Sequence, residues 1–110
     1  MLDQNRTPRS AAIEDLELPV SYKRDLGRAI EILRGFGCTA IYLFGSLAQG
    51  KPHEGSDIDL AVRGCPPNRF FRALGNLLTE LQHSVDLIDL DSGDPTSSYL
   101  ERQGKLVQIA

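Results

Sequence analysis

The stretch from Ile41 to Val62 constrains the fold of this chain most strongly. It opens with a short apolar run that ends at Gly45-Ser46. After ten further residues, the triplet Asp57-Ile58-Asp59 opens a second apolar run. Short runs rich in β-branched and aromatic residues, bounded by glycine, are typical of buried strands. We therefore predict two strands, with a tight turn at the end of the first facing two carboxylates at the start of the second.

The rest of the chain supplies amphipathic segments around these strands. Apolar residues recur at three- and four-residue spacing, which predicts a helix from Ser21 to Phe36 and another that ends near Gln82. The complete prediction in chain order is helix 21–36, strand 39–44, a brief helix after Gly45, strand 57–62, the helix ending near 82, strand 84–90, helix 95–103 and strand 105–109. This alternation predicts an α/β domain layered around one small sheet.

A chain of 110 residues forms one compact domain by default. The first 18 residues have no clear period and become acidic around Glu14 and Glu17. We interpret residues 1–18 as an N-terminal arm, mobile over 1–10 and either a short helix or a partner-binding segment over 11–18. The domain itself is expected to span residues 19–110.

The composition argues against several classes of protein. Twelve basic and fifteen acidic residues give a net charge of −3, so we expect no direct binding of nucleic acid. The two cysteines, Cys38 and Cys65, form neither a disulfide framework nor a metal-ligand spacing, and we expect reduced thiols. No apolar stretch is long enough for a membrane span and the N-terminus lacks a signal-peptide pattern, so we expect a cytoplasmic protein without membrane contact.

The carboxylate pair carries the first chemical signal. Asp57 and Asp59 are two residues apart on a predicted strand, so they project from the same face and repel each other. Such a pair favours a hard divalent cation, and Mg²⁺ commonly binds one or two carboxylates together with substrate phosphate. Two such ions about 3.5–4 Å apart steady both the attacking and the leaving oxygen of an in-line displacement. Asp86 lies on the next predicted strand and reaches the same ions if the two strands are neighbours.

The turn at Gly45-Ser46 supplies the opposing half of the site. A glycine lets the backbone approach a phosphate closely, and N–H groups at the start of the following helix favour an anion. The Ser46 hydroxyl adds a further donor. The turn and the carboxylates together indicate metal-assisted nucleotidyl transfer from a nucleoside triphosphate.

Simpler interpretations exist for each of these residues. Asp57 and Asp59 are also compatible with a solvated strand end, although Ile58 and the apolar residues after it argue against that. Asp86 is one of three nearby acids, with Asp89 and Asp91, and we prefer it because its parity along the strand directs it towards the expected site. Gly45-Ser46 by itself is also typical of an ordinary turn that ends a strand.

The combination of these motifs resembles a known family. Gly45-Ser46, ten residues, Asp57-Ile58-Asp59 and the later Asp86 resemble the DNA polymerase beta-like nucleotidyltransferases. The extended pattern Gly-Ser-Leu-Ala-Gln-Gly…Ser-Asp-Ile-Asp-Leu-Ala-Val is similar to the minimal nucleotidyltransferases, which are the small antitoxin partners in two-component HEPN toxin–antitoxin systems. The resemblance covers roughly residues 21–109.

The resemblance implies a small mixed β-sheet flanked by helices. It implies that Asp57, Asp59 and Asp86 are metal-binding and catalytic carboxylates and that Gly45 and Ser46 bind the triphosphate. It also implies ATP as substrate, Mg²⁺ as cofactor in two ions, and transfer of AMP onto a tyrosine of a HEPN toxin partner. The chain would then act as an antitoxin.

Two other functions compete with this one. The chain could be a non-catalytic binding module that neutralises a HEPN ribonuclease by docking, since a small acidic domain suits a basic RNA-binding surface. A transferase for a small hydroxylated molecule such as an aminoglycoside is the weaker alternative, because little chain remains to build its pocket. Self-association through apolar surface left uncovered is a further expectation for so small a domain.

Overall fold

The computed structural model describes residues 9–53 and 55–110. Within them, a short 3₁₀ turn (Ile13–Asp15) separates the first strand from the first long helix. The strands are β1 (Arg9–Ser10), β2 (Ala40–Phe44), β3 (Ile58–Arg63), β4 (Val85–Asp89) and β5 (Val107–Gln108). The helices are α1 (Val20–Gly35), α2 (Gly45–Ala48), α3 (Phe70–Glu80) and α4 (Pro95–Gln103).

The five strands form one mixed sheet in the order β1-β5-β2-β3-β4. Strand β2 runs antiparallel to both β3 and β5, whereas β3 pairs with β4 in parallel and β1 pairs with β5 in parallel. The parallel β3–β4 pair requires a crossover, which α3 supplies. The prediction of a small mixed sheet flanked by helices is therefore confirmed.

The main core lies between one face of this sheet and helices α1 and α3. Alternate strand residues point into it, because successive side chains of a strand lie on opposite faces. Helix α1 contributes residues at helical spacing, and α3 does so at two positions that are fully buried. The central contacts involve Leu26, Leu33, Ile41, Leu43, Ile58, Leu60, Val62, Ala73 and Leu77.

The opposite face of the sheet carries a smaller apolar cluster. Its buried members are Tyr42, Ala61, Leu90 and Leu106, and Leu100 of α4 packs against them. Along β3, the residue on this face before Ala61 is Asp59. The cluster therefore gives way to charged side chains at the edge of the sheet where β3 begins.

Helix α4 has clear chemical signals at both ends. The Asp94 side chain caps its start and accepts a hydrogen bond from the Ser97 N–H at 2.9 Å, which lowers the pKa of that carboxyl. The helix ends at Gly104, whose φ of 63° lies in the left-handed region that glycine tolerates. The predicted helix 95–103, closed by Gly104, is confirmed.

The other predicted elements are present with shifts of one or two residues at their ends. Helix α1 begins at Val20 rather than Ser21, and β5 is confined to Val107–Gln108. Within the predicted arm, residues 1–8 lie outside the described residues. Residues 11–18 contain the 3₁₀ turn, and the β1–β5 pairing was not anticipated.

Both cysteines are free and buried, as expected. Burial, followed by a hydrogen bond with Cys65, raises the pKa of the Cys38 thiol from 9.0 to about 12. Cys38 is therefore a neutral part of the core at ordinary pH. In the described part of the chain, none of the helices is both long and apolar enough to cross a membrane.

Candidate active site

The turn after β2 is built around Gly45. This residue has φ of +75° and is the first residue of α2, directly after Phe44 at the end of β2. A Cβ atom at this position would overlap Oδ2 of Asp59 and lie 3.1 Å from its Cγ. Both the backbone conformation at position 45 and the Asp59 carboxylate that lies against it therefore require a glycine there.

The three predicted carboxylates lie at the same edge of the sheet. Asp57 directly precedes β3, and Asp59 is the second residue of that strand. Asp59 is paired in register with Phe44 on β2 and with Asp86 on β4. Residues paired in this way have neighbouring Cβ atoms on one face, so Asp59 and Asp86 are adjacent side chains.

The electrostatics of Asp59 reflect this crowding. Its side chain is half-buried, whereas Asp57 and Asp86 are exposed. Burial, then the negative charge of Asp86, and then that of Asp57 raise the pKa of Asp59. The cluster thus holds negative charge under mutual repulsion, and a bound cation would relieve that repulsion.

The donor set suits a hard divalent cation. Within residues 9–53 and 55–110, no three His, Cys, Asp or Glu side chains already converge into a metal-binding group. The three carboxylates nevertheless offer oxygen atoms, which Mg²⁺ prefers. Besides burial, repulsion by Asp86 and Asp57 raises the pKa of Asp59, and binding of a cation would remove that repulsion. These residues therefore fit the metal implied by the resemblance.

The other two candidate acids have different surroundings. Asp91 accepts a hydrogen bond from the Gly64 N–H at 2.7 Å and forms an ion pair with Arg63 at 3.4 Å. Asp89 is paired in register with Val62, and its side chain accepts the Asp91 N–H at 2.9 Å. Since Asp89 is three residues from Asp86 along the strand, it lies on the opposite face. The geometry therefore brings Asp86 next to Asp59, and it does not do so for Asp89 or Asp91.

The Ser46 hydroxyl joins the turn to the loop that precedes Asp57. Its Oγ lies 3.5 Å from Oγ of Ser56, a residue only 4% exposed. Ser56 Oγ also accepts the His53 N–H at 2.8 Å, and the Ser56 N–H donates to the His53 carbonyl at 2.9 Å. The two halves of the candidate site are therefore connected through Ser56.

Sequence reasoning missed Ser56 and the residue that holds it, Tyr22. The Tyr22 hydroxyl donates to the Ser56 carbonyl at 2.7 Å from the buried face of α1, across 34 positions of sequence. A serine directly before Asp57 was the available signal for Ser56. For Tyr22 the signal was weak, because an aromatic residue on an apolar helix face is normally a packing residue.

Comparison with protein families gives one matching description. Residues 28–108 match the family model "Polymerase beta, Nucleotidyltransferase". The matched segment contains the turn at Gly45, all three carboxylates and four of the five strands. Among curated protein sequences, no significant match is found.

Two solved structures with a similar fold are of toxin-antitoxins. One is the toxin-antitoxin with AMP-PNP, 36% identical over 62% of this chain and 59% of that chain, with a TM-score of 0.53. A variant of the toxin-antitoxin MntA-HepT is 31% identical over 77% of this chain and 71% of that chain, with a TM-score of 0.60. The alignment with the first of these two structures thus spans less than two thirds of the matched chain.

A third similar structure supports the fold alone. It is described as a minimal nucleotidyltransferase, and it is 23% identical over 84% of this chain and 89% of that chain, with a TM-score of 0.60. The coverage is high in both directions, so the two chains share a fold over most of their length.

Proposed function

Because this chain belongs to the polymerase beta nucleotidyltransferase family, we propose that it is a Mg²⁺-dependent enzyme that transfers AMP from ATP to a protein hydroxyl. The observation that carries the proposal is the pairing of Asp59 with Asp86 in register, beside a glycine turn that the Asp59 carboxylate touches. This arrangement puts anionic metal ligands next to a backbone segment that a phosphate can approach.

Asp57, Asp59 and Asp86 would hold the metal, as two ions. When bound, Mg²⁺ neutralises triphosphate charge and steadies the attacking and leaving oxygens of the displacement. The carboxylates contribute by fixing the position of that charge. Asp59 and Asp86 lie on two adjacent strands and Asp57 directly precedes β3, and a place on or next to the sheet favours the precision that such chemistry requires.

Gly45 and Ser46 would hold the triphosphate. The absence of a side chain at Gly45 leaves room for the Asp59 carboxylate against the turn, so a metal ligand lies beside the backbone that would meet the phosphates. The half-buried Ser46 supplies a hydroxyl donor. Ser46 lies within contact of Ser56, so its position is tied to the loop before Asp57. This connection would keep the α-phosphate aligned with the carboxylates during the reaction.

The reaction itself is a displacement at the α-phosphorus. The acceptor oxygen forms a bond to that phosphorus, the bond to the bridging oxygen of the β-phosphate breaks, and pyrophosphate leaves. Asp86 is exposed and would accept the proton of the acceptor hydroxyl as its oxygen attacks. No covalent intermediate with the enzyme is needed.

The acceptor that we propose is a tyrosine of a HEPN toxin, whose modification would silence the toxin. Two of the similar structures are toxin-antitoxins, and one of them contains AMP-PNP. An exposed acid at the edge of the sheet, with β4 as the edge strand, leaves an acceptor on another protein free to approach.

Intact-mass spectrometry tests this function. The chain would be co-expressed with a HEPN protein from a neighbouring reading frame of the source genome, and the mass of that protein would be measured. We expect an increase by one or more AMP units on a tyrosine, which disappears with Asp57→Asn. An unmodified partner in a complex with the folded wild-type chain would overturn the proposal.

A second function, neutralisation by binding alone, is favoured by apolar surface on α3. Phe71 is 78% exposed and Leu78 is 59% exposed, and their seven-residue spacing places them on one helix face. Exposed apolar residues of this kind mark protein-binding surfaces, including those of a second copy. Neutralisation that survives Asp59→Asn without ATP would establish docking, whereas loss of neutralisation would establish catalysis.

We also propose that residues 19–110 form the nucleotidyltransferase domain and that the segment before them is an arm. The 3₁₀ turn and the pairing of β1 with β5 show that part of this arm contacts the domain. Deletion of residues 1–18 should leave AMP transfer measurable while lowering thermal stability.

A further inference from the structure

Tyr22 belongs to a buried hydrogen-bond network that the proposed chemistry does not use directly. It lies on α1, is 5% exposed, and its ring stacks on His83 with centroids 3.7 Å apart and planes 7° from parallel. Its hydroxyl reaches the Ser56 carbonyl at 2.7 Å. That carbonyl belongs to the peptide group that joins Ser56 to Asp57.

The other end of the network is fixed by a buried carboxylate. Asp25, one turn after Tyr22 on α1, is 3% exposed and accepts the N–H groups of Gln82 and His83 at 2.9 and 2.8 Å. The His83 ring also contacts Ser21, with Nε2 and Oγ 3.0 Å apart. These contacts hold His83 against α1, so the Tyr22 ring is confined on one side by a fixed partner.

The loop that Tyr22 reaches is also held to the turn after β2, because the Lys51 N–H donates to the Ser46 carbonyl at 3.0 Å and Ser46 Oγ lies 3.5 Å from Ser56 Oγ. Ser56 closes the loop locally by its two bonds to His53, and Gly55 has a φ of +82°. On the far side of Asp57, the Ile58 N–H donates to the Ser84 carbonyl at 2.8 Å. Asp57 therefore lies between a peptide group held by Tyr22 and an N–H group held by the residue before β4.

We propose that Tyr22 is a positioning residue that sets the approach of the Asp57 carboxylate to Asp59 and the approach of the Ser56 hydroxyl to Ser46. Without the bond from Tyr22 to its carbonyl, the peptide group before Asp57 could rotate, and Asp57 would then sample several positions. The bond from the rigid helix α1 selects one of them before any ligand arrives, which lowers the cost of ordering the site on binding. The expected effect of Tyr22 on AMP transfer rests on the proposed function, whereas its effect on the position of the loop does not.

Tyr22→Phe is the direct test, because it removes the hydroxyl and retains the ring that stacks on His83. We expect the Mg²⁺ concentration for half-maximal AMP transfer to rise roughly three- to tenfold, as one lost hydrogen bond allows. We also expect faster hydrogen exchange in the peptide covering residues 51–58. The maximal rate at saturating Mg²⁺ and ATP should change less than the half-maximal concentration.

Two matched variants separate positioning from general stability. Tyr42→Phe removes the hydroxyl of a buried tyrosine, 6% exposed, that interacts with Arg63 rather than with the loop, and Tyr99→Phe removes a tyrosine hydroxyl from a side chain that is 55% exposed. Neither should alter the Mg²⁺ requirement or exchange in 51–58. An equal shift in the Mg²⁺ requirement with Tyr42→Phe would overturn the proposal, as would unchanged exchange in Tyr22→Phe.

Failure of the proposed function would give a different pattern. A wild-type chain without transferase activity refutes the function, and exchange in 51–58 still decides the role of Tyr22. Faster exchange with Tyr22→Phe alone supports the positioning role in that case, and equal exchange in all three variants contradicts it.

Discussion

Asp59 and Asp86 are paired in register across the parallel strands β3 and β4, with burial and the charge of Asp86 raising the pKa of Asp59. Side-by-side carboxylates of this kind destabilise a chain that has no cation to share between them. Their presence on two central elements of the candidate site is most simply explained by a ligand that compensates for the repulsion.

The first prediction concerns Asp59→Asn. We expect AMP transfer to fall by at least about 100-fold, because a metal ligand is lost. The metal-free protein should become more stable at neutral pH, since the substitution removes a carboxylate whose ionised form is disfavoured in the fold. Thermal unfolding of both proteins at pH 7, without divalent cations, measures the change in Tm.

The control is the response to Mg²⁺. Addition of Mg²⁺ should raise the Tm of the wild-type protein by mass action and should raise that of Asp59→Asn much less. Equal stabilisation of both proteins would show that the cation binds elsewhere.

The second prediction contrasts two glycines with the same backbone conformation. Gly45 and Gly50 have φ of +75° and +68°, but a Cβ at Gly50 would meet nothing within 4 Å. Alanine at either position should cost about 1–3 kcal/mol of backbone strain. Only Gly45→Ala should also displace Asp59 and abolish transfer, which a comparison of activity against Tm would reveal. Similar loss of activity in both variants would contradict the role assigned to the Asp59 contact.

The third prediction concerns the buried carboxylate of Asp25. Asp25→Ala leaves the N–H groups of Gln82 and His83 without their acceptor, which should cost about 1–3 kcal/mol. In a domain of this size each kcal/mol corresponds to a fall in Tm of about 4–8 °C. Asp15→Ala, at an exposed acid, is the matched control and should change Tm little. A Tm unchanged by Asp25→Ala would show that water replaces the lost acceptor.

The fourth prediction is a loss of stability at alkaline pH. Unfolded Cys38 ionises near 9.0, whereas burial and contact with Cys65 raise its pKa in the folded protein to about 12. Between these values the unfolded chain has released more protons, so stability is fully present below pH 9.0 and declines as pH rises towards 12. Urea midpoints at pH 8, 9 and 10 should decline less steeply for Cys38→Ala. Parallel curves for the two proteins would contradict the raised pKa.

Much of this fold was predictable because its local signals agree with one another. The period of the apolar residues predicted α1 and α3, and Pro95 and Gly104 marked the two ends of α4. Parity along β4 identified Asp86 as the residue that would face Asp59, and the pairing register agrees with it. The roles of these residues in chemistry remain predictions.

The parts that sequence did not reveal depend on contacts between distant segments. Strand β1 has two residues, too short for any periodic signal, and exists because β5 offers a partner edge. The bond from Tyr22 to Ser56 joins residues 34 positions apart, and it follows only from how α1 packs on the sheet. The pattern of residues along the chain indicates which face of a helix or strand is buried. These contacts depend instead on how the helices and strands pack against one another.

The most direct test of the central claim is transfer of label from ATP. The chain would be incubated with Mg²⁺ and either α-labelled or γ-labelled ATP in the presence of its co-purified partner, with Asp57→Asn and Asp59→Asn alongside. The account predicts label in the partner from α-labelled ATP only, and no label with either variant. Label from γ-labelled ATP, or transfer that persists in both folded variants, would contradict the claim that these carboxylates form the site of nucleotidyl transfer.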